Sequence, residues 1–326
     1  MLRTYGPSCD GSLIDANCAA AIPSTATWID LEEPTKEEEQ LVEKALGIAV
    51  PTRADMAEIE PSSRLYEQNG ALFMTLSTLT GVEEDSPTTE PISFVLSANH
   101  LVTVRYASPK PVRAFISHVE REPELTRDAL TVLVRLLDAI IDRLADELEV
   151  LGAEIESLSK RVFAREVSER RIPAPLLTRL IGQLGRAQSL LARIRETAVS
   201  AVRLLSFLSG SERLHSPDSG FARDHVVSLQ ADASALIDHS AFLAGNLQFL
   251  LDAALGLISV EQNAAMKLFS WAAFIFLPPT LIAGIFGMNF HYMPELDLHW
   301  GYAASLLAML ASAVLPLAYL RWRGWI

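Results

Sequence analysis

The stretch Pro278–Tyr302, PPTLIAGIFGMNFHYMPELDLHWGY, joins the two segments of the chain that are long and apolar enough to cross a bilayer. Leu268–Phe286 and Gly301–Leu320 contain no Asp, Glu, Lys, Arg or His, and each approaches the ~20 residues that span a hydrocarbon core. Trp300, Tyr302, Tyr319, Trp322 and Trp325 stand at the segment ends, where aromatic rings anchor at the membrane–water interface. Lys267 precedes the first segment, and Arg321 and Arg323 follow the second. The connecting loop Gly287–Trp300 has no Lys or Arg and carries Glu295 and Asp297. Basic flanks stay on the cytoplasmic side, so both termini are expected in the cytoplasm and the loop outside. A hairpin buried in a soluble protein would share the apolarity but not this flanking pattern.

Composition agrees with that division. Half of the 326 residues are hydrophobic although 21% are charged, which fits an apolar C-terminus attached to a charged, soluble body. A net charge of −13 makes nucleic acid a poor partner. The two cysteines, Cys9 and Cys18, form no CxxC pair and no Cys/His cluster, so neither a zinc site nor a disulfide framework is expected. No basic region followed by an apolar core opens the chain, and no cleaved signal peptide is expected.

Upstream of the apolar hairpin, residues 1–124 read as an α/β domain. Residues 1–27 carry little pattern and are expected to form a loop or a weak edge strand. Trp28–Leu31, 63–67, 71–79, 92–96 and 101–106 read as strands, with turns at Asn69-Gly70 and Ala98–His100. Helices are expected at 36–46, opened by Pro34 and Thr35, and at 109–119. Neither a Gly-rich phosphate loop nor a nucleophile–base pair is present, and an enzyme is not expected.

Residues 125–267 change to long helix. Leu137, Leu144, Leu151 and Leu158 recur every seven residues, with Ile141, Leu148, Ile155 and Val162 four positions on. That is a helix-packing seam. Its opposite face is acidic: Asp138, Asp142, Asp146, Glu147, Glu149, Glu154 and Glu156. Pro173 and Pro175 separate it from a return arm at 176–208 with Arg179, Arg186, Arg193 and Arg195. After a loop at 209–220, a third helix with Leu229, Leu236, Leu243, Leu250 and Leu257 at the same period leads towards the first span. Continued into the membrane it would reach about 100 Å at 1.5 Å per residue. The fold class is therefore α+β with a membrane part. An α/β domain and coiled-coil stalk (1–124 and 125–267) precede a first span at 268–286, an external loop at 287–300, a second span at 301–320 and a basic tail at 321–326.

Two helices cannot enclose an aqueous path, so conduction would need several copies around a shared axis. Spans without ionisable residues exclude a proton relay within the bilayer. What remains for a cation is carbonyl, amide and hydroxyl oxygen. Thr280 and Asn289 are the candidates, on a path otherwise lined by Met266, Phe269, Ala273 and Leu277. Carboxamide oxygens suit a cation that keeps its waters, and Mg²⁺ gives up its shell reluctantly. Apolar residues deeper in the path can gate by dewetting.

These residues resemble the CorA magnesium and cobalt transport family. The resemblance rests on GLISVEQNAAMKLFS (256–270), FLPPTLIAGIFGMNF (276–290), MPEL (293–296) followed by WGY (300–302), the RWRGWI tail, and strand sequence of the YEQNGALF type (66–73). It is strongest from Leu236 onward and weaker over 28–162. It implies a funnel-shaped homopentamer in a bacterial inner membrane, with the first span lining the pore. Gly287, Met288 and Asn289 would form the selectivity filter, and Thr280 a second polar ring. Met266, Phe269 and Leu277 would form an apolar gate, and Glu295, with Asp297 in the same loop, would gather cations at the mouth. The implied activity is passive influx of Mg²⁺, with Co²⁺ and Ni²⁺, without an organic cofactor. The resemblance also implies regulation by intracellular Mg²⁺ bound between cytosolic domains. The aspartate pair that does this in some relatives has no clear match; Glu83, Glu84, Asp85, Asp232 and Asp238 are the substitutes at hand. Two alternatives stay open. One is the zinc-transporting ZntB branch, with His291 and His299 at the mouth. The other is a membrane-anchored coiled-coil scaffold or Mg²⁺ sensor.

Overall fold

Among the described residues seven strands pair into one mixed sheet, the interior ones rich in β-branched and aromatic residues. The computed structural model describes residues 1–7, 9–14, 22–58, 60–84, 86–163, 174–216, 219–289, 291, 293 and 298–324. The chain divides into two units, Met1–Leu251 and Asp252–Ile326. In the first, strands β1 (Leu2–Gly6), β2 (Cys9–Ile14), β3 (Trp28–Glu32), β4 (Leu65–Gln68), β5 (Ala71–Thr80), β6 (Thr88–Leu96) and β7 (Leu101–Arg105) lie in the order β2-β1-β3-β7-β6-β5-β4. Only β3 and β7 are parallel among these neighbours, with Trp28 opposite Leu101 and Glu32 opposite Arg105.

Three of the expected strands shift. The N-terminal stretch supplies two strands rather than one weak one: β2 is an edge, but β1 is interior, with Leu2 and Tyr5 buried. β4 begins at Leu65, because Pro61–Arg64 forms a short helical turn. β6 begins at Thr88, ahead of the expected Ile92. Asn69 and Gly70, at φ 53° and 73°, make the two-residue connection between β4 and β5, the left-handed pair that a type I′ hairpin requires.

Helices cover both sheet faces. α1 (Lys36–Leu46) is opened by a capping box. Glu38 N–H donates to Thr35 Oγ1 at 3.3 Å, and Glu38 Oε2 accepts from Thr35 N–H at 2.9 Å, which satisfies two otherwise orphaned donors. Val42 of α1, and Met56 of α2 (Arg53–Ala57), bury Ile29, Leu31, Phe73, Val95 and Val104 on one face. After α3 (Pro61–Arg64), the other face packs Trp28, Leu72, Met74, Leu76 and Phe94 under α4 (Lys110–Val119), α5 (Ala129–Phe163) and α6 (Ala174–Ser209). Pro175 sits in the first turn of α6, where a missing N–H costs no helical bond; Pro173 and Cys18 lie outside the described residues. Cys9 is a free, half-buried thiol.

β4 pairs only with Ala71–Met74, so β5 has an open edge from Thr75 onward. Ser77 N–H there donates to Ser200 Oγ of α6 at 3.1 Å. Because that N–H points away from β6, the Ser77–Pro91 pair needs no donor from Pro91. This is the circumstance in which a strand tolerates proline.

The eight expected seam positions of α5 are all buried to 3% exposure or less, as the seven-residue period requires. One acidic residue departs from its expected place: Glu147 is buried and ion-paired with Arg143. The segment expected as a loop at 209–220 contains a 3-10 turn at Glu212–His215. α7 (Gly220–Phe286) then runs unbroken for 67 residues, through Pro278 and Pro279. Within the first unit its Leu229, Leu243 and Leu250 are buried.

The second unit holds the last part of α7 and α8 (Gly301–Trp322). The most apolar stretch of α7 has no buried residue, and that of α8 is 6% buried. A soluble hairpin would hide such surface; these two helices expose it.

Candidate functional site

The candidate site begins with helical spacing in α7. Met266, Phe269, Ala273, Leu277 and Thr280 follow one another at intervals of three and four, which places them within about 80° of arc at ~100° per residue. All five are exposed, with Met266 at 65%, Phe269 at 75% and Leu277 at 71%. From Met266 to Gly287 the helix rises about 31 Å, close to the ~30 Å thickness of a hydrocarbon core.

Pro278 and Pro279 supply no N–H, so the carbonyls of Phe274 and Ile275 lose their intrahelical partners. One turn on, Thr280 Oγ1 donates to the Phe276 carbonyl at 2.6 Å. With its proton committed, the Thr280 hydroxyl can offer only lone pairs to anything beside the helix. Lone pairs are what the first-shell waters of a cation seek.

Gly287 closes α7: its N–H donates to Ala283 O at 2.9 Å, and Met288 N–H to Ile285 O at 3.2 Å. A β-carbon on Gly287 would stand 3.0 Å from the Ala283 carbonyl oxygen, so any other residue would crowd the turn. Asn289 follows, exposed and outside the helix. Among the described residues its carboxamide has no hydrogen-bond partner. His291 and His299 are exposed; Glu295 and Asp297 lie outside the described residues. At the far end of α8, the Arg323 guanidinium stands 5.9 Å from the Tyr319 ring centroid; Tyr302 at the start of α8 and Trp322 at its end are 79% and 82% exposed.

The five acidic residues expected to bind a regulatory ion do not converge. Glu83 is held by Lys110 Nζ at 2.5 Å, with Arg113 at 3.8 Å. The Lys110 hydrogen bond and charge keep the Glu83 carboxyl below the usual range. Glu84, Asp232 and Asp238 are exposed, and Asp85 lies outside the described residues. Among the described residues no group of three or more His, Cys, Asp or Glu is placed to hold a metal. Instead, burial first, then the neighbouring charges of Asp138, Asp146 and Asp232, push the Asp142 carboxyl up, with His225 opposing. His225 Nε2 stands 3.2 Å from Asp138 Oδ2. Sequence reading did not single out His225, Lys110 or Arg113; the seven-residue offset from His225 to Asp232 was the available signal for the first.

Comparison with known proteins gives one picture. The family described as CorA-like Mg2+ transporter protein matches residues 23–322. The chain is 31% identical over 313 residues to the magnesium transport protein CorA of Pasteurella multocida (strain Pm70), covering 96% of both chains. It is 29% identical over 301 residues to the magnesium transport protein CorA of Escherichia coli (strain K12), covering 92% of each. The complete structure of the CorA magnesium transporter from Methanocaldococcus jannaschii superposes with a TM-score of 0.75 at 22% identity, over 100% of this chain and 98% of that one. That likeness shows the fold: a mixed-sheet domain, long helices and two apolar C-terminal helices. This chain is a membrane protein of the CorA-like Mg2+ transporter family, a family of transporters and not of enzymes.

Proposed function

We propose that the chain conducts Mg²⁺ passively into the cell through a homopentameric pore, with Co²⁺ and Ni²⁺ as further permeant ions. The observation that carries this reading is the exposed stripe from Met266 to Thr280, which ends at Gly287 and the unpartnered carboxamide of Asn289. A single copy leaves that stripe without a partner, and five copies around an axis would turn it inward. Asn289 would then form the outer polar ring, Thr280 the second, and Met266, Phe269 and Leu277 the apolar constriction. Glu295 and Asp297 would raise the local cation concentration at the mouth.

Neither polar ring carries charge. A hydrated divalent ion is therefore held through its waters, by carboxamide and hydroxyl lone pairs, and escapes readily. The membrane potential supplies the drive, about 4.6 kcal/mol per 100 mV for two charges. Lys267, Arg321 and Arg323 support an inner-membrane orientation with both termini in the cytoplasm. Closure by intracellular Mg²⁺ belongs to the same reading. With Glu83 paired to Lys110, Glu84, Asp232 and Asp238 are the described acidic groups of that set left to contribute.

The test is ion flux into proteoliposomes holding the full chain, with Mg²⁺, Co²⁺, Ni²⁺ and Zn²⁺ supplied in turn and Asn289→Ala as control. Potential-driven Mg²⁺ entry that the variant loses supports the proposal. Entry of Zn²⁺ driven by a proton gradient, with little Mg²⁺, would assign the chain to zinc transport and bring His291 and His299 forward. No flux of any ion would leave a scaffold or sensor. A native mass of five subunits checks the assembly separately.

A further inference from the structure

Within the first unit, a cleft of about 600 Å³ lies between the open edge of β5, α6 and α7. Its charged lining is unusual for a chain of net charge −13: three arginines, Arg64, Arg195 and Arg203, face it with one carboxylate, Glu196. Glu196 is already engaged, accepting from Arg193 Nη1 at 3.2 Å and from the Thr89 hydroxyl at 3.3 Å. Among the described residues Arg195 and Arg203 have neither a hydrogen bond nor an ion pair. Arg64 is fixed by neutral acceptors alone, giving Nε–H to the Glu58 carbonyl at 2.5 Å and Nη1–H to Ser77 Oγ at 3.0 Å.

The neutral groups repeat this polarity. Ser77 Oγ accepts from Arg64, and Ser200 Oγ accepts from Ser77 N–H at 3.1 Å. Each hydroxyl oxygen is thus occupied as an acceptor while its own O–H has no acceptor among the described residues. Ser77 is 6% exposed, and a buried hydroxyl proton without an acceptor leaves part of its hydrogen-bonding capacity unused. The cleft therefore presents N–H and O–H donors from five side chains against a single carboxylate, Glu196, whose Oε2 already takes two donors. That is the complement of a tetrahedral oxyanion, whose oxygens take several donors at once and pair with guanidinium forks.

We propose that this cleft binds a phosphate-bearing small molecule. The phosphoryl oxygens are received by Arg195 and Arg203 on α6 and by the Ser77 and Ser200 hydroxyls at the β5 edge, with Arg64 behind them. The site uses none of the residues assigned to conduction, so it stands or falls independently of the transport reading.

The test is calorimetric titration of the purified full chain, in EDTA and without divalent metal, with inorganic phosphate, pyrophosphate and ATP in turn. Saturable binding of at least one of them is expected. The double variant Arg195→Ala/Arg203→Ala should weaken it by at least about tenfold, as loss of charge-assisted hydrogen bonds implies. Arg193→Ala, which removes an α6 arginine already paired with Glu196, should change it little. Binding of inorganic phosphate identifies the bare anion as sufficient, whereas binding of ATP alone assigns a nucleotide. An unchanged melting temperature of the double variant shows that the loss is not unfolding. Absence of saturable binding by all three anions overturns the proposal, and so does a double variant that binds as the parent does.

Discussion

Asp30 on β3 and Arg105 on β7 form a two-pronged ion pair inside the sheet. Nε donates to Oδ1 at 3.1 Å and Nη2 to Oδ2 at 2.8 Å, and both side chains are 2% exposed or less. The remaining capacity is filled: Thr103 Oγ1 donates to Asp30 Oδ1 at 2.6 Å, and Arg105 Nη1 reaches Glu32, Ala107 O and Ser108. These contacts lie across β3–β7, the parallel pairing in a sheet otherwise paired antiparallel. Removing Arg105 leaves the buried Asp30 carboxylate without a charge partner, and removing Asp30 leaves the buried guanidinium only the partly exposed Glu32; each costs about 3–5 kcal/mol. Asp30→Ala and Arg105→Ala should each lower the urea midpoint of the full chain by that equivalent. A paired apolar replacement, Asp30→Leu/Arg105→Met, should recover most of it.

Leu151 packs in the α5 seam at 1% exposure. Truncation to Ala removes the buried methyl groups and leaves a cavity, at about 2–5 kcal/mol. Val150, its neighbour in sequence, is 67% exposed, and Val150→Ala should lie within about 0.5 kcal/mol of the parent. Equal losses from the two variants would contradict the helix phase described above.

Thr280 offers an acceptor because its proton goes to Phe276 O. Thr280→Val keeps the shape and removes the oxygen, and should slow Mg²⁺ flux about two- to tenfold, the worth of one ordinary hydrogen bond. Thr280→Ser should restore it. Stopped-flow influx into liposomes distinguishes them; an equal loss in Ser and Val would mean that the methyl group, not the oxygen, matters.

Asp142 has a raised carboxyl, through burial and then Asp138, Asp146 and Asp232. Between the ordinary value of 3.8 and that raised value the folded chain binds more protons than the unfolded one. Stability therefore falls as pH rises through this window. Asp142→Asn should raise the melting temperature at pH 7, and the gain should vanish below pH 3.8, where the parent carboxyl is protonated in both states. A gain that persists under acid would point to packing instead.

Periodic features were readable from the sequence. The α5 seam follows from a seven-residue repeat, and the stripe from Met266 to Thr280 from intervals of three and four. Both depend only on neighbours along one helix. What was not readable depends on distant partners. β1 is held by β3, β4 is shortened by the α3 turn, and Glu147 is buried because Arg143 folds over it. Glu83 could be counted among the acidic residues in sequence, but its pairing with Lys110 and Arg113 could not.

The bond from Ser77 N–H to Ser200 Oγ spans 123 residues. During synthesis the β5 edge is therefore complete long before the helix that covers it has been made. At about 5–20 residues per second, that edge stays open for roughly 6–25 seconds, displaying unpaired amides beside Leu76 on one face and Leu79 on the other. Such an edge is a template for pairing with another chain. A slow codon stretch between residues 80 and 200 would lengthen the hazard, and a chaperone acting on this nascent chain has a defined interval in which to hold it.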